Sequence, residues 1–221
     1  MKHIRLTWRL KLQATLINHM GDDLTAVNAA RVSFAKKKDV FDDKDARLIK
    51  YLASHGHTSP FFHIILQFRI TAPIFVARQW YRHTVGFARN EESRRYIRNE
   101  PSVFHPTNWR SKPEGSIKQG SGSVHSDSHM WDASYKHIVD SAVDAYNRMI
   151  EDGVAPEQAR MILPQATETS WVETASLYAY ARLCNERMQP DAQVEIRDLA
   201  EMVYNEAKEI APVSWKELVN V

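Results

Sequence analysis

Residues 63–83 constrain the fold most, because the spacing of their apolar residues changes partway along the segment. The run HIILQFRIT is β-branched and alternating, which predicts a strand closed by Ala72 and Pro73. The run IFVARQWYRH that follows has apolar residues at helical spacing, whereas the next residues, VGFARN, favour a helix poorly. We therefore predict a strand, then a buried helix that ends near His83, and then a polar loop.

The predicted loop is rich in charge, since the segment QWYRHTVGFARNEESRRY combines arginines with histidine, glutamate and serine. Arginine suits phosphate because its planar guanidinium group donates two parallel hydrogen bonds and stays charged when buried. A single arginine is more often a solvated charge or the partner of one of the 27 acidic residues. Arg82 is the exception, because the helix that it ends is predicted to be buried. The arginine clusters are Arg78 with Arg82, Arg94 with Arg95, Arg160, and Arg182 with Arg187.

The N-terminal segments predict one further strand and two capped helices. Alternation of apolar with polar or basic residues predicts a strand from Ile4 to Ile17. The run GDDLTAVNAARVSF predicts a helix with Asp22 or Asp23 near its start. The run DKDARLIKYLASHGH predicts a second helix, which Gly56 ends.

The C-terminal half is predicted to be mostly helical, after a flexible loop rich in glycine and serine at about residues 104–129. Helices are predicted over MWDASYKHIVDSAVDAYNRMIEDG, PEQARMIL, SLYAYARLCNERM and DAQVEIRDLAEMVYNEAKEI, whereas ATETSWVETA is extended in character. We therefore predict one domain over residues 1–221, of the α+β class, with a small antiparallel sheet packed with helices.

The composition of the 221 residues argues against some classes of protein. A net charge of +2 is too small for non-specific nucleic-acid binding by overall electrostatics, so any anion site must be local. The single cysteine, Cys184, cannot form an internal disulfide and is typical of a reducing compartment. The start, MKHIRLTWRLKLQATLI, lacks the uninterrupted apolar core of a signal peptide or membrane span, so we predict a cytoplasmic protein.

Two other sets of residues invite a chemical interpretation. His55, His57 and His63 could bind a metal, but no carboxylate or cysteine stands nearby at ligand spacing, so we expect no metal site. Cys184 could be a nucleophile, but it stands in a predicted helix with no turn to expose it, so a buried side chain is the better prediction. Neither GxGxxG nor GxxxxGK[ST] occurs, so side chains would have to hold any nucleotide.

The order of several motifs resembles the flavin-dependent thymidylate synthases, the ThyX family. That family carries RHRxxSxNExSxRY after an apolar helix ending in ARQW, and this chain has ARQWYRHTVGFARNEESRRY. The run HTSPFFH is similar to the family's HxxPFEH, AQVEIR is similar to AQxEIR, and Arg160 stands in a similar AR-x-x-LP block. The resemblance covers the chain from about Ala30 to Ala200.

The chain departs from the family pattern at a few positions, most of which face the flavin in the family. Thr84 stands where the third signature residue is usually arginine, and one extra residue separates it from Asn90. Phe62 replaces the usual glutamate. Ser176 stands where asparagine is more frequent, and Arg182 where asparagine or histidine is more frequent. Such departures are expected of a divergent branch of the family, for example a branch found in viruses.

The resemblance implies reductive methylation of dUMP to dTMP, with 5,10-methylenetetrahydrofolate as carbon donor and NADPH as reductant through FAD. It also implies a homotetramer with active sites between subunits, in the cytoplasm, or the host cytoplasm for a viral protein. The catalytic residue would be Arg187, which stands five residues before AQVEIR and would stabilise the ionised pyrimidine. The residues expected at dUMP are Gln79, Arg82, Glu91, Ser93, Arg95, Arg160 and Arg187, and those expected at FAD are Ser59, Arg82, His83, Thr84, Glu91, Ser176 and Arg182.

Two other classes of protein compete with this interpretation. In a nucleic-acid-binding module, the arginines of residues 78–98 would contact phosphates and their aromatic neighbours would stack on bases. In a metal-dependent hydrolase, the three histidines of HGHTSPFFH would bind the metal. The small net charge argues against the first class, and the missing carboxylate argues against the second.

Overall fold

The computed structural model describes residues 12–97, 99–114 and 120–221. Four strands form one antiparallel sheet in the order β1-β2-β4-β3. They are β1 (Gln13–Met20), β2 (Ile65–Pro73), β3 (Phe87–Glu91) and β4 (Glu168–Ser176). The eight helices of the described residues are α1 (Asp23–Arg31), α2 (Asp43–Ser54), α3 (Ile74–Trp80), α4 (Ser128–Glu151), α5 (Pro156–Ala159), α6 (Leu177–Arg187), α7 (Val194–Ile210) and α8 (Pro212–Leu218). The predicted α+β class is therefore confirmed.

The central strand β2 shows why the sheet forms where the sequence predicts it. Leu66, Phe68, Ile70 and Ala72 alternate along the strand and are all fully buried. Alternation of this kind places one face of a strand against the core. β2 pairs with β1 on one side and with β4 on the other. The strand predicted for Ile4–Ile17 is confirmed from Gln13 onward and continues to Met20, and its earlier part lies outside the described residues.

Strand β3 corrects the sequence-based prediction of a polar loop after α3. Its five residues form the edge of the sheet, and Phe87 pairs with Ala175 while Glu91 pairs with Trp171. A short, polar edge strand lacks the apolar alternation that makes a longer strand recognisable. Its backbone partner is β4, far along the chain, so the pairing depends on the assembled fold.

The helices begin and end close to the predicted positions. Asp22 caps α1 in a reciprocal arrangement with Thr25, and Asp42 caps α2. α3 ends at Trp80, just before His83. The long helix α4 already begins at Ser128, within the last part of the predicted flexible loop.

The predicted loop holds some backbone hydrogen bonds where it is described. Ser111 N donates to the carbonyl oxygen of Ser123, and His125 N donates to that of Trp109. Residues 104–114 and 120–127 contain no helix or regular strand, although Arg110 and Val124 form an isolated bridge. The flexibility of the loop stays a prediction.

The core lies between the sheet and helices α6, α7 and α8, and it determines the position of the candidate site. Trp80 at the end of α3 and Trp171 on β4 are essentially buried, as is Tyr180 on α6. The end of α3, the strand β3 and the end of α6 therefore meet at one edge of the sheet. No helix in the described ranges has the length and apolarity that a membrane span requires.

Candidate active site

The end of α3 and the end of α6 are joined by a contact between Arg187 and His83. Arg187 Nε donates a hydrogen bond to His83 Nε2 over 2.8 Å. Arg187 Nη2 donates a longer one, of 3.4 Å, to the backbone oxygen of Gln79. Because a guanidinium nitrogen can only donate, His83 Nε2 must be the acceptor, and a neutral ring then carries its proton on Nδ1.

His83 remains neutral at pH 7 for electrostatic reasons. Burial, followed by the positive charge of Arg187, lowers the pKa of His83 to about 4. Arg89 and Arg182 contribute to this lowered pKa, whereas Glu186, whose Oε2 lies 3.8 Å from His83 Nε2, opposes it. The unprotonated Nε2 is therefore available to hold Arg187 over the whole neutral range.

Both residues line a cavity of about 200 Å³ in which positive charge exceeds negative charge. Three arginines face it against a single glutamate, and a threonine hydroxyl and apolar side chains complete the wall. Such a lining favours an anionic ligand. The residues around the cavity are Arg82, His83, Thr84, Val85, Phe87, Ala179, Arg182, Glu186 and Arg187.

This first cavity brings together many of the predicted site residues. Arg82, His83, Thr84 and Arg182, all expected at FAD, lie around it together with the expected catalytic residue Arg187. Within the described residues, Nη1 of Arg187 has no hydrogen-bond partner, so the guanidinium group can still donate to a ligand.

A second cavity, of about 270 Å³, contains other residues predicted at dUMP. Glu91, Ser93 and Arg160 lie in its wall, together with Arg94. No residue lines both cavities. Arg187 and Arg160 therefore lie in the walls of separate cavities of one protomer.

Arg94 takes the place in this wall where the sequence predicted Arg95. Arg95 is exposed, and its guanidinium lies 5.2 Å from the centre of the Tyr96 ring. Arg94 donates from Nη1 to the backbone oxygen of Asn99, and its Nε is buried with no partner among the described residues. Two adjacent arginines in a loop give no periodicity from which their directions could be predicted.

The Gln79 side chain binds a residue in the wall of a third cavity. Its Nε2 donates to Gln193 Oε1 over 2.6 Å, and Gln193 Nε2 donates to Glu195 Oε2 over 2.9 Å. Arg110 Nη2 completes the chain of hydrogen bonds by donating to Glu195 Oε1 over 2.6 Å. Gln193 and Glu195 line a cavity of about 360 Å³ whose other wall contains Phe75 and further aromatic residues. Only the backbone oxygen of Gln79 contacts Arg187.

The remaining predicted residues lie outside the first cavity. Ser59 is exposed in a short 3-10 turn, and Ser176 is buried and caps α6 by accepting a hydrogen bond from Ala179 N. Glu91, expected at both dUMP and FAD, accepts a hydrogen bond from Thr169 Oγ1 over 2.7 Å.

The buried ion pair between Arg89 and Glu173 was not predicted from the sequence. Arg89 Nε donates to Glu173 Oε2 over 2.6 Å, and the Glu173 side chain is fully buried. Trp80 Nε1 and Trp171 Nε1 also donate to this carboxylate. A glutamate in an alternating run such as SWVET is usually predicted to be exposed. The ion pair between Arg89 and Glu173 becomes apparent only from the pairing of β3 with β4.

The structure also bears on the competing predictions. Trp80 is fully buried and is not free to stack on a base, and Tyr81 packs edge-on against Trp171, whereas Tyr96 in the same segment is 76% exposed. Among the described residues, no three histidine, cysteine, aspartate or glutamate side chains could hold a metal ion together. Cys184 is buried, and this burial raises the pKa of its thiol well above the ordinary value, so it is not an accessible nucleophile.

The fold and the cavities together define a small α+β protein with an arginine-lined cavity at the edge of an antiparallel sheet. A sequence model of the thymidylate synthase complementing protein family matches residues 15–213. A flavin-dependent thymidylate synthase of Thermus thermophilus is 36% identical over 200 residues, which cover 90% of this chain and 73% of that protein. One from Thermosipho africanus is 35% identical over 205 residues, covering 91% and 88% of the two chains.

Solved structures agree with the sequence relatives. The UMP/dUMP methylase PolB from Streptomyces cacaoi, bound with 5-Br dUMP, superposes with a TM-score of 0.85 at 28% identity and covers 95% of each chain. The same enzyme bound with 5-Br UMP gives a TM-score of 0.83 over 96% of each chain. The chain therefore belongs to the thymidylate synthase complementing protein family, that of the flavin-dependent thymidylate synthases.

Proposed function

We propose that the chain is a flavin-dependent thymidylate synthase that methylates dUMP at C5 to give dTMP. The relatives from Thermus thermophilus and Thermosipho africanus carry that name, and the superposed Streptomyces cacaoi enzyme is a UMP/dUMP methylase. The nucleic-acid alternative has no comparable support, because the named relatives are flavin-dependent thymidylate synthases and a UMP/dUMP methylase.

The observation that supports this proposal most is that two hydrogen bonds fix the guanidinium group of Arg187. His83 and the backbone oxygen of Gln79 fix it from two sides, which leaves Nη1 free among the described residues. A fixed positive charge beside a pyrimidine stabilises negative charge that builds in the ring. This would make C5 more nucleophilic without a covalent bond to the enzyme, in keeping with the buried thiol of Cys184.

FAD is the cofactor that we propose, with NADPH as reductant and 5,10-methylenetetrahydrofolate as carbon donor, and the first cavity, of about 200 Å³, would hold only part of it. The donor set fits an anionic cofactor, because Arg82 and Arg182 supply positive charge and the Thr84 hydroxyl supplies a further hydrogen-bonding group. Bound FAD would supply the reducing equivalents, a chemistry that side chains alone cannot provide. The side chains would bind and orient the cofactor and exclude water.

The second cavity is our candidate for the dUMP phosphate. Arg160 and Ser93 lie in its wall, and Arg95 stands beside them in the chain. Because Arg187 lies in the other cavity, one site would need contributions from two copies of the chain. This separation supports the proposal of a homotetramer with active sites between subunits. A cytoplasmic location stays a prediction from the single cysteine.

The proposed function is tested by absorption spectroscopy and by a pair of variants. Purified protein is titrated with FAD and then given NADPH and dUMP, and we expect a flavin band that bleaches under NADPH. Arg187→Ala should abolish dTMP formation while leaving the flavin bound, because the charge beside the pyrimidine is lost. Arg160→Ala should chiefly weaken dUMP binding. Absence of any flavin band at excess FAD, or near-normal turnover by Arg187→Ala, would contradict the proposal.

A further inference from the structure

Arg89 is held on several sides at the centre of strand β3. Its Nε donates to Glu173 Oε2 and its Nη1 donates to the backbone oxygen of His83, each over 2.6 Å. Its guanidinium group also lies 4.4 Å from the centre of the Phe87 ring and 5.3 Å from that of Tyr81. Arg89 thus connects the sheet directly to the turn that carries His83.

Glu173 makes this connection rigid. It pairs with Arg89 across the β3–β4 register, so backbone and side chains fix the same two residues. A fully buried carboxylate requires well-placed donors, and Glu173 has them in Arg89 and in the indoles of Trp80 and Trp171. If Arg89 moved away, the buried carboxylate would lose its positively charged partner.

The contacts continue from Arg89 through His83 to Arg187. Arg89 binds the backbone of His83, and the ring of His83 accepts the hydrogen bond from Arg187 Nε. Nη2 of Arg89 is buried with no hydrogen-bond partner among the described residues.

We infer that Arg89 is a positioning residue, which fixes the turn bearing His83 and, through the His83 ring, holds the guanidinium group of Arg187 in place. The catalytic consequence of this inference rests on the proposed function. The contacts among Arg89, His83 and Arg187 are observed independently of it. The chain has threonine at position 84, where the resembling family usually has arginine, and Arg89 provides a guanidinium group a few residues further on.

The main test variant removes the ion pair without leaving a buried charge alone. Arg89→Met combined with Glu173→Gln keeps the side-chain lengths similar, and the glutamine oxygen can still accept from an indole. The matched control is Arg31→Met with Asp45→Asn. That pair also joins an arginine to a fully buried carboxylate over 2.6 Å, but it lies on α1 and α2.

The first readout is the nitrogen NMR spectrum of the His83 ring, which needs neither cofactor nor substrate. In the unchanged protein, Nε2 should titrate with a pKa near 4, under the combined influence of burial, Arg187, Glu186, Arg89 and Arg182. The Arg89→Met/Glu173→Gln variant should show a shifted Nε2 resonance at pH 7, where the ring is neutral in both proteins, because the ring is no longer held against Arg187; a higher titration midpoint follows from loss of the Arg89 charge alone and does not decide the question. The control variant should leave both unchanged.

The second readout is steady-state turnover. A displaced Arg187 should lower kcat by about 10-fold to 100-fold, since small misplacements of a catalytic group cost that much. The KM for dUMP should change far less, which separates positioning from loss of substrate binding. Arg89→Lys keeps a positive charge beside Glu173 but cannot reproduce the paired donors of a guanidinium group. Its kcat should therefore lie between that of the unchanged protein and that of the double variant.

Each outcome decides one of the two proposals. Unchanged His83 resonances and normal kcat in the folded double variant would overturn the positioning role, while dTMP formation by the unchanged protein would leave the function intact. A shifted His83 resonance would support the positioning role even if the unchanged protein formed no dTMP, which would contradict only the proposed function. If the double variant does not fold, Arg89→Lys with the same NMR readout decides the question.

Discussion

At the scale of single residues, the site depends on a histidine that stays neutral beside arginines. Burial and Arg187 together hold the pKa of His83 at about 4, so its Nε2 can accept a hydrogen bond where a protonated ring could not. Protonation would place an N–H against the N–H of Arg187 and break the contact. The electrostatics of the neighbours thus decide whether Arg187 is held.

This lowered pKa predicts how stability depends on pH. The pKa of His83 in the folded protein lies below its value of about 6.5 in the unfolded chain. Between these two values the unfolded chain therefore binds a proton at His83 and the folded protein does not. The free energy of unfolding should therefore decrease as the pH falls from about 6.5 towards 4. Urea unfolding at several pH values in this window measures the effect.

His83→Gln is the control for that experiment, because glutamine can accept the hydrogen bond from Arg187 but does not titrate. Its stability should decrease less than that of the unchanged protein across the same pH window. Parallel pH profiles for the two proteins would show that His83 does not have a lowered pKa.

At the scale of elements, the helices that carry their own caps could be predicted, and the elements fixed by distant partners could not. α1 and α2 have aspartate caps within a few residues of their starts. β3 is fixed by β4, and α8 begins where the carboxylate of Asp23 accepts hydrogen bonds from Val213 N and Ser214 N. No local sequence pattern predicts a contact with a residue so far along the chain.

The same distinction applies to the candidate site. The motif around Arg82 and His83 could be predicted, because it stands in a compact, recognisable segment. The division into separate cavities could not, and neither could the choice of Arg94 over Arg95. Those features depend on the direction of side chains in an irregular loop, which residue spacing does not determine.

The contact between Asp23 and the start of α8 gives an element-scale prediction. Asp23→Ala should lower the free energy of unfolding by about 1–3 kcal/mol, because two backbone N–H groups lose a charged acceptor in a buried place. Denaturant unfolding measures the change. Asp39→Ala is the control, since the Asp39 side chain is 89% exposed and pairs only loosely with Lys37. Equal stability of the two variants would contradict this role of Asp23.

At the scale of the whole molecule, the separation of Arg187 from Arg160 predicts that inactive variants complement each other. Arg187→Ala and Arg160→Ala each damage one cavity, so mixed oligomers should contain some sites with both arginines intact. We expect partial recovery of dTMP formation after subunits of the two variants are exchanged.

Exchange must be shown independently, for example by co-purification of a tagged variant with an untagged one. Exchange without any recovery would indicate that both arginines act within one protomer. Each variant mixed with itself serves as the control for the exchange procedure.

The burial of the single cysteine has a consequence for the conditions that the molecule tolerates. Cys184 lies inside α6 with no exposed surface, and its high pKa keeps it as an unreactive thiol. Peroxides and alkylating agents react with thiolates, so they find no target of this kind on the folded protein. The proposed activation of the pyrimidine by the positive charge of Arg187 uses no thiol. It would therefore continue under oxidative stress that inactivates an enzyme with a catalytic cysteine.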